Sequence, residues 1–575
     1  MGAGRRSLAA DPIALEILWT RLIAIADEAA TTLVRTSFSP IVRESNDFSC
    51  VLFDRAGNAI AENTIGIPSF NLTMSRTLAH LLRWRPAERW RPGDVACTND
   101  PWLTSGHLPD LTVLAPVFRN GRLLAWTGSI AHQADIGGTI WSADTREVYE
   151  EGIRVPPMLL CLEGELNEDL LELLRANLRL PDQVVGDVMA QVAAGETAAR
   201  RLLELVDEAG LDDLDELSHE VCTRAERAMR RAVAAVPDGV YGGALDLDGT
   251  GEEAVHLEAR VTVRGDALDV DYAGTSPQVG RSLNVVLNYT EAYSCYPLKC
   301  ALDPSTPRNE GSYRCLGVTA PEGTILNPRR PAAVNARQLV GHCLSAVLYA
   351  ALAPVLGDRV IAESGSAPTL RVVLSGPREQ GGSGGSPPGE PGGPGGSPPG
   401  AEERRFTSIF FLNGGMGARP EHDGLSTTCF PSNVICGAME SIEATAPVRV
   451  WRKELAVDSG GPGRQRGGLG QELELELLAP AECTLSLFVE HAEHPPQGVL
   501  GGRPGAPSAV VWNGSSEGFP LKGRSRIRPG DRLWVRYPGG GGYGDPAERD
   551  RDAVSADLEA GLVTEEQARD AYGWR

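Results

Sequence analysis

The sequence predicts a mixed α/β (α+β) fold with several lobes and a glycine-rich β part in its C-terminal third. Helical and strand-like patterns alternate along the chain without a repeat of 20–50 residues, and glycine-rich loops are concentrated in its second half. The 575 residues exceed one ordinary hydrophobic core, so we expect roughly two to four domains. The 42% hydrophobic and 23% charged residues are typical of soluble globular proteins.

The N-terminal part is predicted to open with a helix and continue as a sheet. Apolar residues from Ile13 to Ile23 recur at helical spacing after Asp11-Pro12, which suits a helix cap followed by proline at the first position. Residues 48–63 have the pattern of two strands around a turn at 55–58. Two further strand-like runs, 111–118 and 123–130, are joined by Asn120-Gly121.

The rest of the chain alternates in the same way. A helical region is predicted over 167–236, strands after Gly239, and a second helical patch over 333–356. A Gly/Pro/Ser-rich stretch cannot pack and is predicted to be a disordered insertion, because strand-like sequence resumes at 405. The predicted domains are an N-terminal α/β lobe (11–160), a helical segment (161–236), a β-rich/α lobe (237–375), the insertion (376–403) and a glycine-rich β lobe with a short helical tail (404–575).

Charge and composition exclude several classes of protein. The net charge of −22 and the sequence pI near 5.0 argue against binding to nucleic acid or to an anionic membrane surface. No run approaches ~18 apolar residues, and Asp11 and Glu16 interrupt the N-terminus, so neither a transmembrane helix nor a secretory signal is predicted. Eleven cysteines occur singly without a CxxC pair, which favours buried thiols and a cytoplasmic location.

The densest cluster of metal-competent side chains lies between residues 99 and 135. Asp100, His107 and Asp110 fall within NDPWLTSGHLPDL, and His132 and Asp135 follow in AHQADIGG, although the chain has only nine histidines. Imidazole and carboxylate ligands suit zinc, manganese or ferrous iron, and such a site can lower the pKa of bound water to about 7. Spacing alone does not distinguish this site from loop histidines hydrogen-bonded to nearby carboxylates.

Other candidate motifs have simpler interpretations. The glycine-rich loops at 413–424 and 458–468 do not match the phosphate-loop pattern, and we expect tight turns there. The glutamates of 471–478 alternate at strand spacing and are expected to form one solvated face. No G-x-S-x-G motif supports a serine nucleophile.

Ten motifs, in order, resemble the hydantoinase B/oxoprolinase family, from about Asp11 to the C-terminus. They are RESNDFSCVLFD, GDVACTNDPWLTSGHLPDLTVLAPVF, GSIAHQADIGG, YEEGIRVPP, DYAGTSPQVGRSLN, PEGTILNPRRPAAV, GGMGARPEHDG, SIEATAPVRV, DSGGPGRQRGG and PGGGGYGDPAERD. The resemblance implies a hydantoinase B-type fold. It also implies a role as the metal-bearing subunit of an ATP-dependent 5-oxoprolinase or N-methylhydantoinase.

The resemblance also implies the site residues. The family's metal ligands correspond to Asp47, His107, Asp110 and His132, which would hold one divalent ion of zinc, manganese or iron. We assign Asp135 a catalytic role in orienting a ligand or transferring a proton, because ligating histidines usually need an oriented partner. The alternative is that Asp135 forms the turn before Gly137.

The implied mechanism divides the labour between two subunits of a hetero-oligomer. A hydantoinase A-type partner binds ATP and phosphorylates the amide or enolic oxygen of a small cyclic amide, and water activated by the metal of this chain attacks the carbon that bears this oxygen. Three alternatives remain open: the α-type subunit of a ketone carboxylase, a non-catalytic scaffold for the ATPase, and a self-contained metallohydrolase.

Overall fold

A computed structural model of the chain describes residues 7–250, 253–378 and 405–575. Helices and strands alternate in these ranges, so the predicted mixed α/β class is confirmed. The helices are α1 (Pro12–Thr36), α2 (Pro40–Arg43), α3 (Pro68–Trp84), α4 (Glu168–Asn177), α5 (Pro181–Glu208), α6 (Asp215–Ala234), α7 (Leu287–Leu302), α8 (Gln338–Gly341), α9 (Leu344–Leu356), α10 (Met439–Thr445), α11 (Arg551–Glu559) and α12 (Glu565–Tyr572). The strands are β1 (Phe48–Asp54), β2 (Ala59–Glu62), β3 (Val95–Thr98), β4 (Asp110–Arg119), β5 (Arg122–His132), β6 (Met158–Leu162), β7 (Glu165–Leu166), β8 (Gly239–Thr250), β9 (Glu253–Arg264), β10 (Ala267–Asp271), β11 (Leu316–Thr319), β12 (Leu370–Pro377), β13 (Arg405–Leu412), β14 (Val448–Leu455), β15 (Gln471–Leu477), β16 (Cys483–Phe488), β17 (Ala509–Trp512), β18 (Lys522–Ile527) and β19 (Arg532–Arg536).

The N-terminal region forms an antiparallel seven-stranded sheet in the order β2-β1-β5-β4-β3-β6-β7. Helices α1 and α5 cover one face and α3 covers the other. In β1, Phe48, Cys50 and Leu52 pack towards α1 and α5, whereas Val51 and Phe53 pack towards α3. Successive side chains of a strand point to opposite faces, so burial of both faces explains the continuous apolar run of β1.

Most of the predicted N-terminal elements are confirmed. The Asp11 side chain accepts the N–H of Ala14 at 3.0 Å and Pro12 is the first helical residue of α1. Strands β1 and β2 flank the predicted turn, and β4 and β5 meet at Asn120 and Gly121, both with positive φ. Positive φ at both positions is what a two-residue hairpin turn requires.

The middle region packs a four-stranded sheet, β11-β10-β9-β8, against α7 and α9. Helix α7 is not predicted from the sequence, because it contains Pro297 and is buried on most sides, which removes the amphipathic pattern. The predicted helical patch begins only at Gln338 and is split into α8 and α9. The stretch Gln338–Leu356 has the length and mean hydropathy (1.9) of a membrane span, but 78% of it is buried within the protein.

The C-terminal region is a sandwich of two four-stranded sheets, β13-β12-β16-β18 and β14-β15-β19-β17. In β15, Leu473, Leu475 and Leu477 are buried in the sandwich while the glutamates between them are partly exposed, as the alternating pattern predicts. In β12, Leu370, Val372 and Leu374 also enter this core, so the intervening side chains of β12 point to the opposite face.

The glycine-rich loops differ from the predicted tight turns. They run beside one another as bonded segments: Gly415 donates to the carbonyl of Pro538, and Gly461 donates to the carbonyl of Gly540. A Cβ atom at Gly467 would lie 1.9 Å from the carbonyl oxygen of Gly540. The glycines therefore serve the close approach of backbones rather than sharp reversals of the chain.

The predicted insertion lies outside the described residues from position 379 onward. Strand β12 extends two residues into its predicted range, because Gly376 and Pro377 pair with Phe406 and Arg405 of β13. The strands on either side of the insertion are therefore antiparallel neighbours.

Candidate metal centre

Three neighbouring strands bring distant residues together at one edge of the seven-stranded sheet. Asp110 is the first residue of β4 and His132 the last of β5, and the two are direct cross-strand partners. Asp47 immediately precedes β1, and its carbonyl oxygen accepts the N–H of His132 at 3.0 Å. Because β5 lies between β1 and β4, strand pairing places these three predicted ligands side by side.

His107 reaches the same point from the turn that precedes β4. Gly106 has a φ of +96°, and a Cβ atom there would lie 2.8 Å from Cδ of Arg337, so this turn requires glycine. Oδ1 of Asp110 lies 2.9 Å from Nε2 of His107 and 3.0 Å from Nδ1 of His132. All three side chains are buried, and their candidate ligand atoms lie within 4.8 Å of one another.

The protonation of His107 leaves one ring nitrogen free for a metal. Its Nδ1 lies 3.1 Å from the carbonyl oxygen of Asn335 and 3.1 Å from Nη1 of Arg337. Its Nε2 has no hydrogen-bond partner among the described residues, so we assign the proton to Nδ1, which donates it to the Asn335 carbonyl oxygen. Burial, with the charge of Arg337, lowers the pKa of His107 to about 3, so the ring is neutral. Its Nε2 is then an acceptor facing the acceptor oxygen of Asp110. A cation would stabilise this close pair of acceptors.

The Nε2 atoms of His107 and His132 both support the interpretation that a cation binds here. Nε2 of His107 and Nε2 of His132 are buried without a hydrogen-bond partner in the described part of the chain. Buried polar atoms are rarely left without a partner. Imidazole rings with a free nitrogen beside a carboxylate are suitable ligands for zinc, manganese or iron. These residues therefore fit the divalent ion that the sequence predicts.

Asp110 remains ionised although it is completely buried. Burial raises its pKa, but the charge of Arg337 and the hydrogen bond with His132 hold the pKa of this carboxyl well below its usual range. Nη2 of Arg337 donates to Oδ2 of Asp110 at 2.5 Å, and the hydroxyl of Ser105 donates to the same oxygen. Oδ1 is left to face the two histidines.

Asp47 lines the same cavity as the three clustered residues. Its side chain is 3% exposed; burial raises its pKa and His132 opposes that effect. The group of ligand atoms within 4.8 Å of one another comprises His107, Asp110 and His132 only, among the residues described. The role of Asp47 as a fourth ligand stays a prediction.

Asp135 and Asp100 bind arginines outside this cluster. Asp135 accepts Nη1 of Arg179 at 2.8 Å and the N–H of Gly137 at 3.1 Å, and it lines an adjoining cavity that also contacts His132. Its catalytic role stays a prediction. Asp100 accepts Nη2 of Arg330 at 2.8 and 3.0 Å.

The structure adds a supporting network that the sequence analysis does not identify. The carbonyl oxygen of Asn335 accepts both His107 and Nε1 of Trp141, the latter at 2.6 Å. Oε1 of Glu151 accepts the N–H groups of Asn335 and of the residue before it, each at 2.8 Å. Burial raises the pKa of Glu151 to about 7. Glu151 thus holds the backbone segment that orients His107.

Aromatic and basic side chains complete the walls of the cavity. The ring of Trp141 lies 4.7 Å from His132 and 5.7 Å from His107, measured between ring centroids. Arg337 and Arg371 line the same cavity as the histidines. One signal is available in the sequence for Arg371, which interrupts the apolar run LRVVL.

The chain is similar to known proteins over most of its length. The hydantoinase B/oxoprolinase family profile matches residues 11–546. The chain is 31% identical to the beta subunit of caprolactamase from Pseudomonas jessenii, covering 98% of this chain and 96% of the relative. It superimposes on a crystal structure of ATP-dependent caprolactamase from the same organism with a TM-score of 0.86 and 29% identity, covering 98% and 96% of the two chains.

Two further relatives have related names. The chain is 30% identical to the B-type subunit of a putative D-/L-hydantoinase from Pseudomonas sp. (strain NS671), over 98% of this chain and 95% of the relative. It is 29% identical to 5-oxoprolinase of Saccharomyces cerevisiae, over 93% of this chain but only 42% of that longer protein. The chain therefore belongs to the hydantoinase B/oxoprolinase family.

Proposed function

We propose that this chain is the metal-bearing hydrolytic subunit of an ATP-dependent cyclic-amide hydrolase. The observation that carries the proposal is the buried group of His107, Asp110 and His132, in which two imidazole nitrogens lack a hydrogen-bond partner in the described structure. Similarity to proteins named as a hydantoinase, a caprolactamase and a 5-oxoprolinase supports a cyclic amide as substrate. We expect 5-oxoproline or a hydantoin.

The residues of the site have separate tasks. His107, Asp110 and His132 would hold the ion, with Asp47 as the proposed fourth ligand. A bound zinc, manganese or iron ion supplies Lewis-acid chemistry, which polarises oxygen and acidifies water. Arg337 keeps Asp110 ionised, and Trp141 packs on both histidine rings and excludes solvent from them.

The proposed partner is a hydantoinase A-type chain that binds ATP, since two relatives are named as one subunit of a larger enzyme. The partner transfers a phosphoryl group to the amide oxygen of the substrate. Water then adds to the activated ring carbon, the C–N bond breaks as nitrogen takes a proton, and a second water releases phosphate from the acyl phosphate. Asp135, on the loop after His132, is the proposed group for orienting or moving a proton.

Reconstitution with the A-type partner tests the proposal. The purified chain and partner are mixed with ATP and 5-oxoproline, hydantoin or caprolactam, and ring-opened product and phosphate are measured together. We expect His107→Ala to lower ring opening roughly a thousandfold. The control His256→Ala, which changes a partly exposed histidine paired with Asp246, should retain activity.

Three outcomes would contradict the proposal in different ways. Full activity of His107→Ala would favour a scaffold for the ATPase. Turnover without ATP and partner would indicate a self-contained metallohydrolase. Carboxylation of a ketone with bicarbonate, in place of ring opening, would indicate a component of a carboxylase.

A further inference from the structure

A second buried arginine lines the cavity that contains the candidate metal centre. Arg371 lies on β12, whose alternate residues Leu370 and Val372 are buried in the C-terminal sandwich. The alternation of a strand turns Arg371 the other way, and it lines the cavity that contains His107 and His132. The site is therefore built jointly by the N-terminal sheet and the C-terminal sandwich.

Within the described residues, the guanidinium of Arg371 has no salt bridge, and the carboxylate of Asp47 acts on it only at longer range. Arg371 is only 4% exposed. Its Nε and Nη1 nevertheless have no hydrogen-bond partner, and no carboxylate lies within salt-bridge distance of its guanidinium, in the described ranges. The group lies over the rings of Trp141, at 4.0 Å, and Phe411, at 5.0 Å. An unpaired buried charge is costly unless a ligand completes its bonding.

Arg337 in the same cavity shows the contrast. Its N–H groups are occupied by Asp110 and by the carbonyl oxygen of Ser105. It therefore neutralises a ligand carboxylate rather than presenting free donors. Nε and Nη1 of Arg371, in contrast, meet no acceptor in the part of the chain that the structure describes.

The balance of charge in the cavity also favours an anion. The carboxylates of Asp47 and Asp110 can at most offset the two guanidinium groups, so a bound divalent ion would leave at least two positive charges in excess. Tyr289, Tyr293 and His342 also line the cavity and are uncharged, because burial raises the pKa of the tyrosines and lowers that of the histidine.

We propose that Arg371 binds a phosphoryl oxyanion: the phosphoryl group of the activated substrate and the inorganic phosphate released from it. A planar guanidinium matches adjacent oxygens of phosphate with two parallel hydrogen bonds. The assignment of phosphate as the natural ligand rests on the proposed function. Arg371 would hold the phosphoryl group beside the reacting carbon and stabilise its charge.

Titration of the metal-loaded, full-length chain with inorganic phosphate tests the proposal without ATP or partner. Binding is followed by calorimetry and by tryptophan fluorescence, because Trp141 lies against Arg371. Arg371→Gln should weaken phosphate binding about 10- to 100-fold, and Arg371→Lys should fall between, since lysine keeps the charge without the paired donors. Metal content and thermal unfolding confirm that each variant is folded.

Arg330→Gln is the matched control. Arg330 also lies over a tryptophan, Trp102 at 4.8 Å, but its N–H groups are bonded to Asp100. Its phosphate affinity should equal that of the wild type. If Arg371→Gln does not fold, Arg371→Lys carries the comparison alone.

The proposal is overturned if Arg371→Gln binds phosphate as tightly as the wild type, or if the wild type binds none. Tighter binding of acetate than of phosphate would assign the site to a substrate carboxylate instead, which also overturns it. Failure of ring opening in the reconstituted enzyme with intact Arg371-dependent phosphate binding would contradict the proposed function and leave this site in place.

Discussion

The described part of the molecule contains two buried groups of histidine and carboxylate that differ in hydrogen bonding: in one group ring nitrogens have no partner, and in the other both ring nitrogens donate. At the edge of the seven-stranded sheet, Nε2 of His107 and Nε2 of His132 have no hydrogen-bond partner among the described residues. Near the C-terminal sandwich, His491 donates from both nitrogens, Nδ1 to the carbonyl oxygen of His494 at 2.8 Å and Nε2 to that of Ala367 at 2.7 Å. Only a protonated ring can donate twice.

The pKa values of His107 and His491 differ in the same way as their hydrogen bonds. Burial lowers the pKa of His107 to about 3. Burial also opposes protonation of His491, but Glu363 and Glu490 raise its pKa above the ordinary value. The comparison shows that burial beside carboxylates is not sufficient for a metal site. A free nitrogen is also needed, and at His107 the carbonyl oxygen of Asn335 leaves one available.

The largest expected effect comes from removing the cation that neutralises the metal centre. Arg337→Met leaves the buried Asp110 carboxylate without its ion pair, since both side chains are at most 2% exposed. We expect the free energy of unfolding to fall by about 3–5 kcal/mol, measured as the first transition in urea. The exposed pair of Arg569 and Glu565 provides a control, for which Arg569→Met should cost less than about 1 kcal/mol. Equal losses would contradict the account.

The next prediction concerns Glu151, which supports the metal centre without being one of its proposed ligands. Glu151→Ala removes the acceptor that holds the Asn335 backbone, so His107 loses its orientation. We expect metal affinity to fall about 10- to 100-fold, measured by competition with a chelator. Glu151→Gln retains an acceptor oxygen and should stay within a few-fold of wild type. If Glu151→Ala holds metal as tightly as wild type, this support is unimportant.

A smaller effect tests the imidazolium assigned to His491. Its folded-state pKa is raised, so its stabilisation is complete below the unfolded pKa of about 6.5 and is lost as pH rises through the folded pKa. The melting temperature of His491→Gln should therefore be furthest below wild type near pH 6 and approach it near pH 9. A difference that does not change with pH would show that His491 is not a charged group.

His107 should show the opposite dependence in metal-free protein. Its folded pKa, about 3, lies below the unfolded value of about 6.5. Between these two pH values, His107 is therefore protonated in the unfolded chain but not in the folded chain. Stability should fall as pH decreases from about 6.5 towards 4. After both proteins are freed of metal with a chelator, the melting temperature should decrease less for His107→Gln than for wild type between pH 7 and pH 5. An identical slope would contradict the neutral assignment.

Much of the metal centre can be predicted from local sequence. His107, Asp110 and His132 form a dense cluster of ligand types along the chain, and the structure brings them together. Asp47 is indicated only by family resemblance, because its position depends on the pairing of β1 with β5. Spacing along the chain does not report which strands become neighbours.

The supporting residues are beyond the reach of sequence patterns for the same reason. Arg337 and Arg371 come from segments more than 200 residues after His107, and nothing local indicates that their side chains turn towards it. The sequence correctly predicts the strands in which polar and apolar residues alternate clearly, and the helices that begin with a capping residue. Helix α7 is missed because its burial on most sides hides the helical period. The paired glycine segments are missed because their partners lie far apart in the chain.

Metal content of the purified protein tests the central claim most directly. Plasma mass spectrometry is applied to wild type, His107→Ala, His132→Ala and His491→Gln, all from metal-replete cells. We predict about one equivalent of zinc, manganese or iron per chain in wild type and His491→Gln, and almost none in the other two variants. A metal-free wild type, or metal retained in both His107→Ala and His132→Ala, would contradict the account.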